Sequence, residues 1–279
     1  MQTTGLGIAS FLLSMLLLAV RPLSAPVGAP VGLDPSCAAS LARRVTQGDD
    51  RVQVLGCDPA GRGRAVVAIG DVAEAEHVVV LVPGSDIDLR TLDDDPARRP
   101  MAWARSLAAT AGRSTAVVLW VGYETPQGLG YDAAAGRLAR AGAPLLVDEV
   151  AKLRAAGARH VTVVAHSYGT VVAGLAASAL AADDLVLLGS PGVRASSVAD
   201  LHTSARVWAG RAAQDWIRFV PHVRVGDLGH GADPAAPGFG ALPLPVEGVP
   251  AHEGYLLPGS PTLAAIAAVV RGEAAGGKP

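Results

Sequence analysis

From Arg64 to Val270 the chain alternates short apolar runs, rich in β-branched residues, with stretches of helical pattern, and this restricts the architecture more than any other feature. The runs are Ala65–Ile69, Val78–Val82, Ala116–Val121, Val161–Ala165, Leu185–Leu188 and Ala205–Trp208. They are apolar at consecutive rather than alternate positions, the pattern of strands buried on both faces. Helices are predicted over Pro96–Ala111, Asp132–Ala156, Thr170–Ala181 and Pro261–Val270. The first has Pro in its opening turn and stops at Gly112. The second is expected to break near Pro144 and to close at Gly157. Strand–helix–strand units join by right-handed crossovers, so the expected fold class is α/β, a mostly parallel sheet covered by helices on both faces. Ligand sites in such sheets lie at the carboxyl ends of the strands.

Domain organisation follows from the flanks of that pattern. Half of the 279 residues are apolar and 17% are charged, enough to bury one large core, assigned to residues 64–272. Residues 30–63 read as an N-terminal extension with helical character around Ala38–Val45, and 273–279 as a disordered tail. Residues 1–29 carry an apolar run from Leu6 to Val20 that ends at Arg21. It is shorter than the roughly 20 residues of a membrane span, so the segment is expected to be a secretory signal peptide or an N-terminal membrane anchor. Either places the protein outside the cytoplasm, secreted or in the cell envelope. In such a chain the two cysteines, Cys37 and Cys57, are expected to form one disulfide. Two ligands do not make a zinc site, and neither a metal nor a cofactor is expected. Net charge is −2 with scattered basic residues, which excludes the positive stripe a nucleic-acid partner requires. From Pro221 to Pro261 the chain is rich in Gly and Pro, and so long an irregular segment inside a compact domain is usually functional.

The chemistry centres on Val163–Thr170, VVAHSYGT, where a buried strand turns into a helix. A serine on such a turn is strained and has its hydroxyl exposed, which makes Ser167 the candidate nucleophile. Ala165 stands where the GxSxG pattern has its first glycine, and Gly169 supplies the second. Tetrahedral intermediates of acyl transfer need two N–H donors. The amide of Tyr168, just after the serine, is one candidate, and that of Ser85, in Leu81–Ser85 (LVPGS) after an early strand, is the other; Asp86 and Asp88 add unexplained negative charge nearby. Chain order, nucleophile then acid then histidine, points to His252 on the loop before the last helix as the base, with His230 as the alternative. The candidate acid is Asp215, just after the strand ending at Trp208, with Asp227 and Asp233 as rivals. Asp215 would also serve as the cap of a short helix starting at Trp216.

Pro83–Gly84, Ala165–Gly169 (AHSYG), Gly189–Gly192 (GSPG), the stretch from His230–Gly231 to Asp233–Pro234, and His252 with Tyr255 together resemble an actinobacterial α/β-hydrolase family formerly catalogued only as a domain of unknown function. Asp58–Ala65 and Gly70–Asp71 resemble the lead-in to that family's first strands, so the likeness spans roughly residues 57–272. The resemblance implies an α/β-hydrolase fold with a Ser, Asp and His triad, and says little about substrate. The expected activity is serine hydrolysis of a small-molecule acyl ester, amide or thioester. Two other activities fit the same fold, a catalytically idle envelope protein that binds a ligand or partner and a lyase or cofactor-free peroxidase.

Overall fold

The computed structural model describes residues 29–95 and 99–273. The tail beyond Glu273 and all but the last residue of the 1–29 leader lie outside the described residues, as do residues 96–98, where the first long helix was expected to start.

In chain order the elements are α1 (Pro35–Val45), β1 (Val52–Asp58), β2 (Arg64–Ile69), β3 (His77–Val82), α2 (Pro100–Ala111), β4 (Thr115–Val121), α3 (Tyr131–Ala134), α4 (Arg137–Ala155), β5 (His160–His166), α5 (Gly169–Ala176), β6 (Asp184–Leu188), β7 (Arg206–Gly210), β8 (Leu242–Pro243) and α6 (Pro261–Val270). The strands form one sheet in the order β1-β2-β4-β3-β5-β6-β7-β8. Pairings β1·β2 and β2·β4 are antiparallel. From β4 across to β8 every pairing is parallel.

Period-two alternation sorts the strand side chains between two cores. Val78, Val80 and Val82 join Val163 and Ala165 under α4 and α5. Val79, Leu81 and Val164 face the other way, beneath α1, α2 and α6. A sheet clothed in this way has only its strand ends open, and it is there that polar chemistry can be built.

Several elements depart from the sequence pattern for identifiable reasons. The helix expected from Pro96 begins at Pro100, which occupies its first turn, where the missing N–H has no intrahelical partner to lose. Arg99, forced to extended backbone before proline, marks the boundary (ψ 157°). The break expected near Pro144 falls earlier, at Ala135–Gly136. Ala135 is extended and bridges to Leu228, while a Cβ on Gly136 would lie 2.1 Å from Arg194 Nη1. Pro144 sits inside α4, whose buried Leu145, Leu146, Val150 and Leu153 hold the helix despite the lost hydrogen bond. The helix expected to reach Ala181 ends at Ala176 and passes into a 3₁₀ turn, Ala177–Ala179. The N-terminal extension contributes β1 to the sheet. This edge strand carries a bulge between Val54 and Gly56 and a mixed burial pattern, so it lacks the continuous apolar run of a central strand. Cys37 on α1 and Cys57 on β1 are joined by a disulfide, Cα atoms 5.7 Å apart, which fastens the extension to the sheet.

Candidate active site

Strand β5 and helix α5 meet at Ser167, whose φ of 55° lies in the left-handed region that non-glycine residues rarely adopt. The turn is held from several sides. Ser167 N–H donates to the Leu188 carbonyl at 3.0 Å, and the amide and hydroxyl of Thr170 donate back to the Ser167 carbonyl at 2.9 and 2.7 Å. Gly169 lets α5 close on the end of β3, since a Cβ there would lie 2.4 Å from the Val82 carbonyl oxygen. Ala165 is fully buried between Val82 and Leu187 in register, so its methyl group fits where the GxSxG pattern has glycine.

Gly84 is pressed against the same turn. A Cβ on it would fall 2.6 Å from Ser167 Cβ and 3.0 Å from the Tyr168 amide nitrogen. The Gly84–Ser85 backbone therefore runs beside Ser167 and the Tyr168 amide. Among the described residues, neither the Ser85 nor the Tyr168 N–H donates to a backbone carbonyl. Asp86 and Asp88, the unexplained charges, are turned to loop duties. Asp86 accepts from the Gly128 amide at 2.7 Å, and Asp88 accepts from the amides of Arg90 and Thr91 at 2.8 and 3.2 Å.

Asp215 and His252, 37 residues apart in sequence, meet through His252 Nδ1–H, which donates to both carboxylate oxygens at 2.8 and 2.9 Å. Asp215 is completely buried and also accepts from the Tyr255 hydroxyl at 2.6 Å and from the Ile217 amide at 2.8 Å. Burial pushes its carboxyl up, but the bonds from His252, Tyr255 and Ile217 outweigh that and hold it below the ordinary value of 3.8. The bond to Ile217 is also the cap of the 3₁₀ turn Trp216–Phe219, so Asp215 fills the capping role as well as the contact with His252. Gly189 adjoins this pair, for a Cβ there would lie 2.8 Å from Asp215 Oδ2 and 3.2 Å from His252 Cε1. Gly189 directly follows Leu188, the residue that anchors Ser167, so the imidazole and the serine occupy neighbouring strand ends. His252 Nε2 is buried and bonded to no described residue, Ser167 Oγ included.

Four side chains around His252 were not assigned roles from sequence. His166 Nε2–H donates to the His252 carbonyl at 2.7 Å, and the two rings are 4.5 Å apart. Burial, aided by the nearby His252, pushes His166 from 6.5 to about 3 and keeps it neutral. Trp103 packs edge-on against His166, and Trp216 lies 4.7 Å from the His252 ring. Tyr255 bridges Asp215 and the Ala212 amide, from which its oxygen accepts at 3.0 Å. The sequence cues were a histidine beside the serine for His166 and aromatics near the candidate acid and base for Trp216 and Tyr255; Trp103, on α2, had none.

The rival residues are engaged elsewhere. His230 Nε2–H donates to the Ala133 carbonyl at 2.8 Å; its Nδ1 is buried and unpartnered like His252 Nε2, but no described carboxylate hydrogen-bonds the ring. Asp227 pairs with Arg140 at 2.6 Å and with Arg194 at 2.9 Å, and Asp233 pairs with Arg211 at 2.6 Å. Among the described residues no group of three or more His, Cys, Asp or Glu side chains is placed to hold a metal ion. None of their helices is long and apolar enough to cross a membrane.

A strained serine at the end of a central parallel strand, beside a buried Asp–His pair, is the arrangement of the alpha/beta hydrolases, and the chain belongs to that family, whose model matches residues 58–225. A curated relative, an uncharacterised protein of Mycobacterium tuberculosis (strain H37Rv), is 33% identical over 242 residues, covering 76% of this chain. The same figures hold for its counterpart in strain CDC 1551. The chain spans 37% of the length of these relatives. Similar solved structures include an arylesterase (12% identity, 85% of this chain and 90% of the other, TM-score 0.49) and the esterase LipW from Mycobacterium marinum (16%, 86% and 86%, 0.46). A carboxylesterase from Mesorhizobium loti is also similar (16%, 80% and 100%, 0.44).

Proposed function

We propose that the chain is a serine hydrolase that cleaves an acyl ester, or the corresponding amide or thioester, through an acyl-enzyme, with Ser167 as nucleophile, His252 as base and Asp215 as the carboxylate behind it. One observation carries this reading. The Asp215–His252 hydrogen bond places the proton on Nδ1 and leaves Nε2, buried and without a partner, to accept another.

In the proposed cycle Ser167 Oγ attacks the substrate carbonyl while His252 Nε2 takes the hydroxyl proton. The oxyanion so formed is met by the N–H groups of Tyr168 and Ser85. Collapse expels the alcohol, which takes the proton back from His252. Water then adds to the acyl-enzyme by the same route, giving the acid and restoring Ser167. Asp215 stabilises the imidazolium at each half-reaction without itself being protonated. A binding protein that does no chemistry has no use for a left-handed serine beside an imidazole oriented by a buried carboxylate, so the idle alternative has less in its favour. The Cys37–Cys57 disulfide supports export, because such bonds persist in oxidising compartments.

A fluorophosphonate probe tests the reading directly. Wild type should be labelled at Ser167 and Ser167→Ala should not, with hydrolysis of a p-nitrophenyl ester falling by on the order of 10⁶ in kcat. Unlabelled wild type, or turnover by the alanine variant near that of wild type, would remove Ser167 from the role.

A further inference from the structure

We propose that the face formed by residues 129–137 and 216–231 docks on a membrane surface bearing anionic lipid headgroups. Ten large hydrophobic side chains are exposed among the described residues, and seven of them lie on these two segments. Besides Trp216 they are Leu129, Tyr131, Phe219, Val223, Val225 and Leu228, with Val225 77% and Phe219 73% exposed. Scattered single apolar residues are normal on a surface, whereas a connected group of this kind marks an interaction site.

The two segments meet at their inner ends. Leu228 bridges to Ala135 and to Val225, the Gly229 amide donates to the Ala134 carbonyl, and the Gly231 amide donates to the Val223 carbonyl.

Charge selects the occupant. The chain as a whole carries −2, yet on this face the carboxylates are spoken for: Asp227 by Arg140 and Arg194, and Asp132 by Arg137. Asp227 is the one acidic residue between 216 and 231, where Arg218 and Arg224 are both exposed. Arg218 lies over the Phe219 ring, 4.5 Å from its centroid, so cation and aromatic project together. Between Arg194, His222 and Arg224 opens a cavity of about 350 Å³, wide enough to admit a phosphate-bearing headgroup. Apolar side chains that enter the acyl boundary, interleaved with arginines that meet anionic headgroups, are the physical requirements of interfacial binding. Trp216 joins this face to the His252 ring, so a docked molecule would hold its candidate site against the bilayer.

The test is binding, read without catalysis, so its failure would leave the hydrolase reading untouched. Full-length protein is co-sedimented with phosphatidylcholine vesicles with and without phosphatidylglycerol. Wild type should bind the anionic vesicles about tenfold or more tightly than the neutral ones, and more weakly as salt is raised. Joint substitution Phe219→Ser, Val223→Ser and Val225→Ser should weaken binding about tenfold or more, since three exposed apolar groups are lost. Arg218→Gln with Arg224→Gln should erase the preference for phosphatidylglycerol. Leu55→Ser, on β1, is the control and should bind as wild type. Circular dichroism shows whether each variant is folded. Absence of binding to anionic vesicles, or equal binding by the triple variant, would overturn the proposal. A solution dimer that the triple variant abolishes would overturn it too, by giving this face to a second copy of the chain.

Discussion

Two aspartates with no solvent exposure, Asp184 and Asp215, sit at opposite ends of the parallel strands, and their surroundings differ in one decisive respect. At the amino end, Asp184 accepts from Arg206 Nε at 2.8 Å and Nη2 at 2.9 Å, from Trp208 Nε1 at 2.8 Å and from His160 Nε2 at 3.0 Å. Its charge is answered by Arg206, and the cluster ties β5, β6 and β7 together. At the carboxyl end, Asp215 is as well bonded, but its chain of hydrogen bonds passes through an imidazole and stops at an unpartnered nitrogen. Burial and hydrogen bonding of a carboxylate therefore do not mark a site. The conjunction does: an imidazole held by a buried carboxylate, with its other nitrogen buried and unpartnered, next to the left-handed turn at Ser167.

Substitution to asparagine should separate the two carboxylates. Asp215→Asn should lower kcat by up to about 10⁴, because the amide favours the wrong imidazole tautomer. Thermal melting should show it folded. Asp184→Asn should do the reverse, losing about 3 kcal/mol by denaturant titration as donors from three side chains meet an amide, while the folded fraction keeps normal turnover. If Asp184→Asn lowers kcat as far as Asp215→Asn does, the distinction fails. If instead Asp227→Asn or Asp233→Asn is the inactive variant, the acid belongs on the Gly-rich loop.

What could be read from sequence divides along the same line. The central strands and the elbow at Ser167 were legible because local chemistry specifies them: continuous β-branched runs, a small residue at 165 and a glycine at 169. Asp215 and His252 were reachable only through chain order, since nothing in their immediate neighbours states that they touch. Strand β1 was missed because an edge strand with a bulge buries too few residues to show a pattern. The packing of His166 and Trp216 on His252 left no signal, because aromatic contacts across 86 and 36 residues have no periodicity to betray them.

The N-terminal extension offers a contrast remote from both clusters. Removing the disulfide by Cys37→Ser with Cys57→Ser reopens a loop closed across a separation of 20 residues. This should cost about 3 kcal/mol by the chain-entropy model and leave kcat unchanged. Denaturant titration with a parallel ester assay checks both halves. A drop in kcat in the folded double variant would mean that the extension reaches the site.

The smallest effect concerns His166, which is buried beside His252 without being one of the candidate triad. Its native-state value, about 3, lies below the ordinary 6.5, so between these limits the unfolded chain binds a proton that the native chain refuses. The sign follows from that difference: its contribution to stability is intact above about pH 6.5 and is lost as pH falls toward 3, with a slope of at most about 1.4 kcal/mol per pH unit. His166→Gln keeps an N–H able to reach the His252 carbonyl but cannot titrate. Its unfolding free energy, measured from pH 6.5 down to 4, should therefore decline less steeply than that of wild type by up to that slope, whatever constant offset the substitution introduces. Parallel lines for the two would mean that His166 takes up its proton in the folded protein, and a charged ring there would oppose the proposed role of His252, which takes a proton from Ser167.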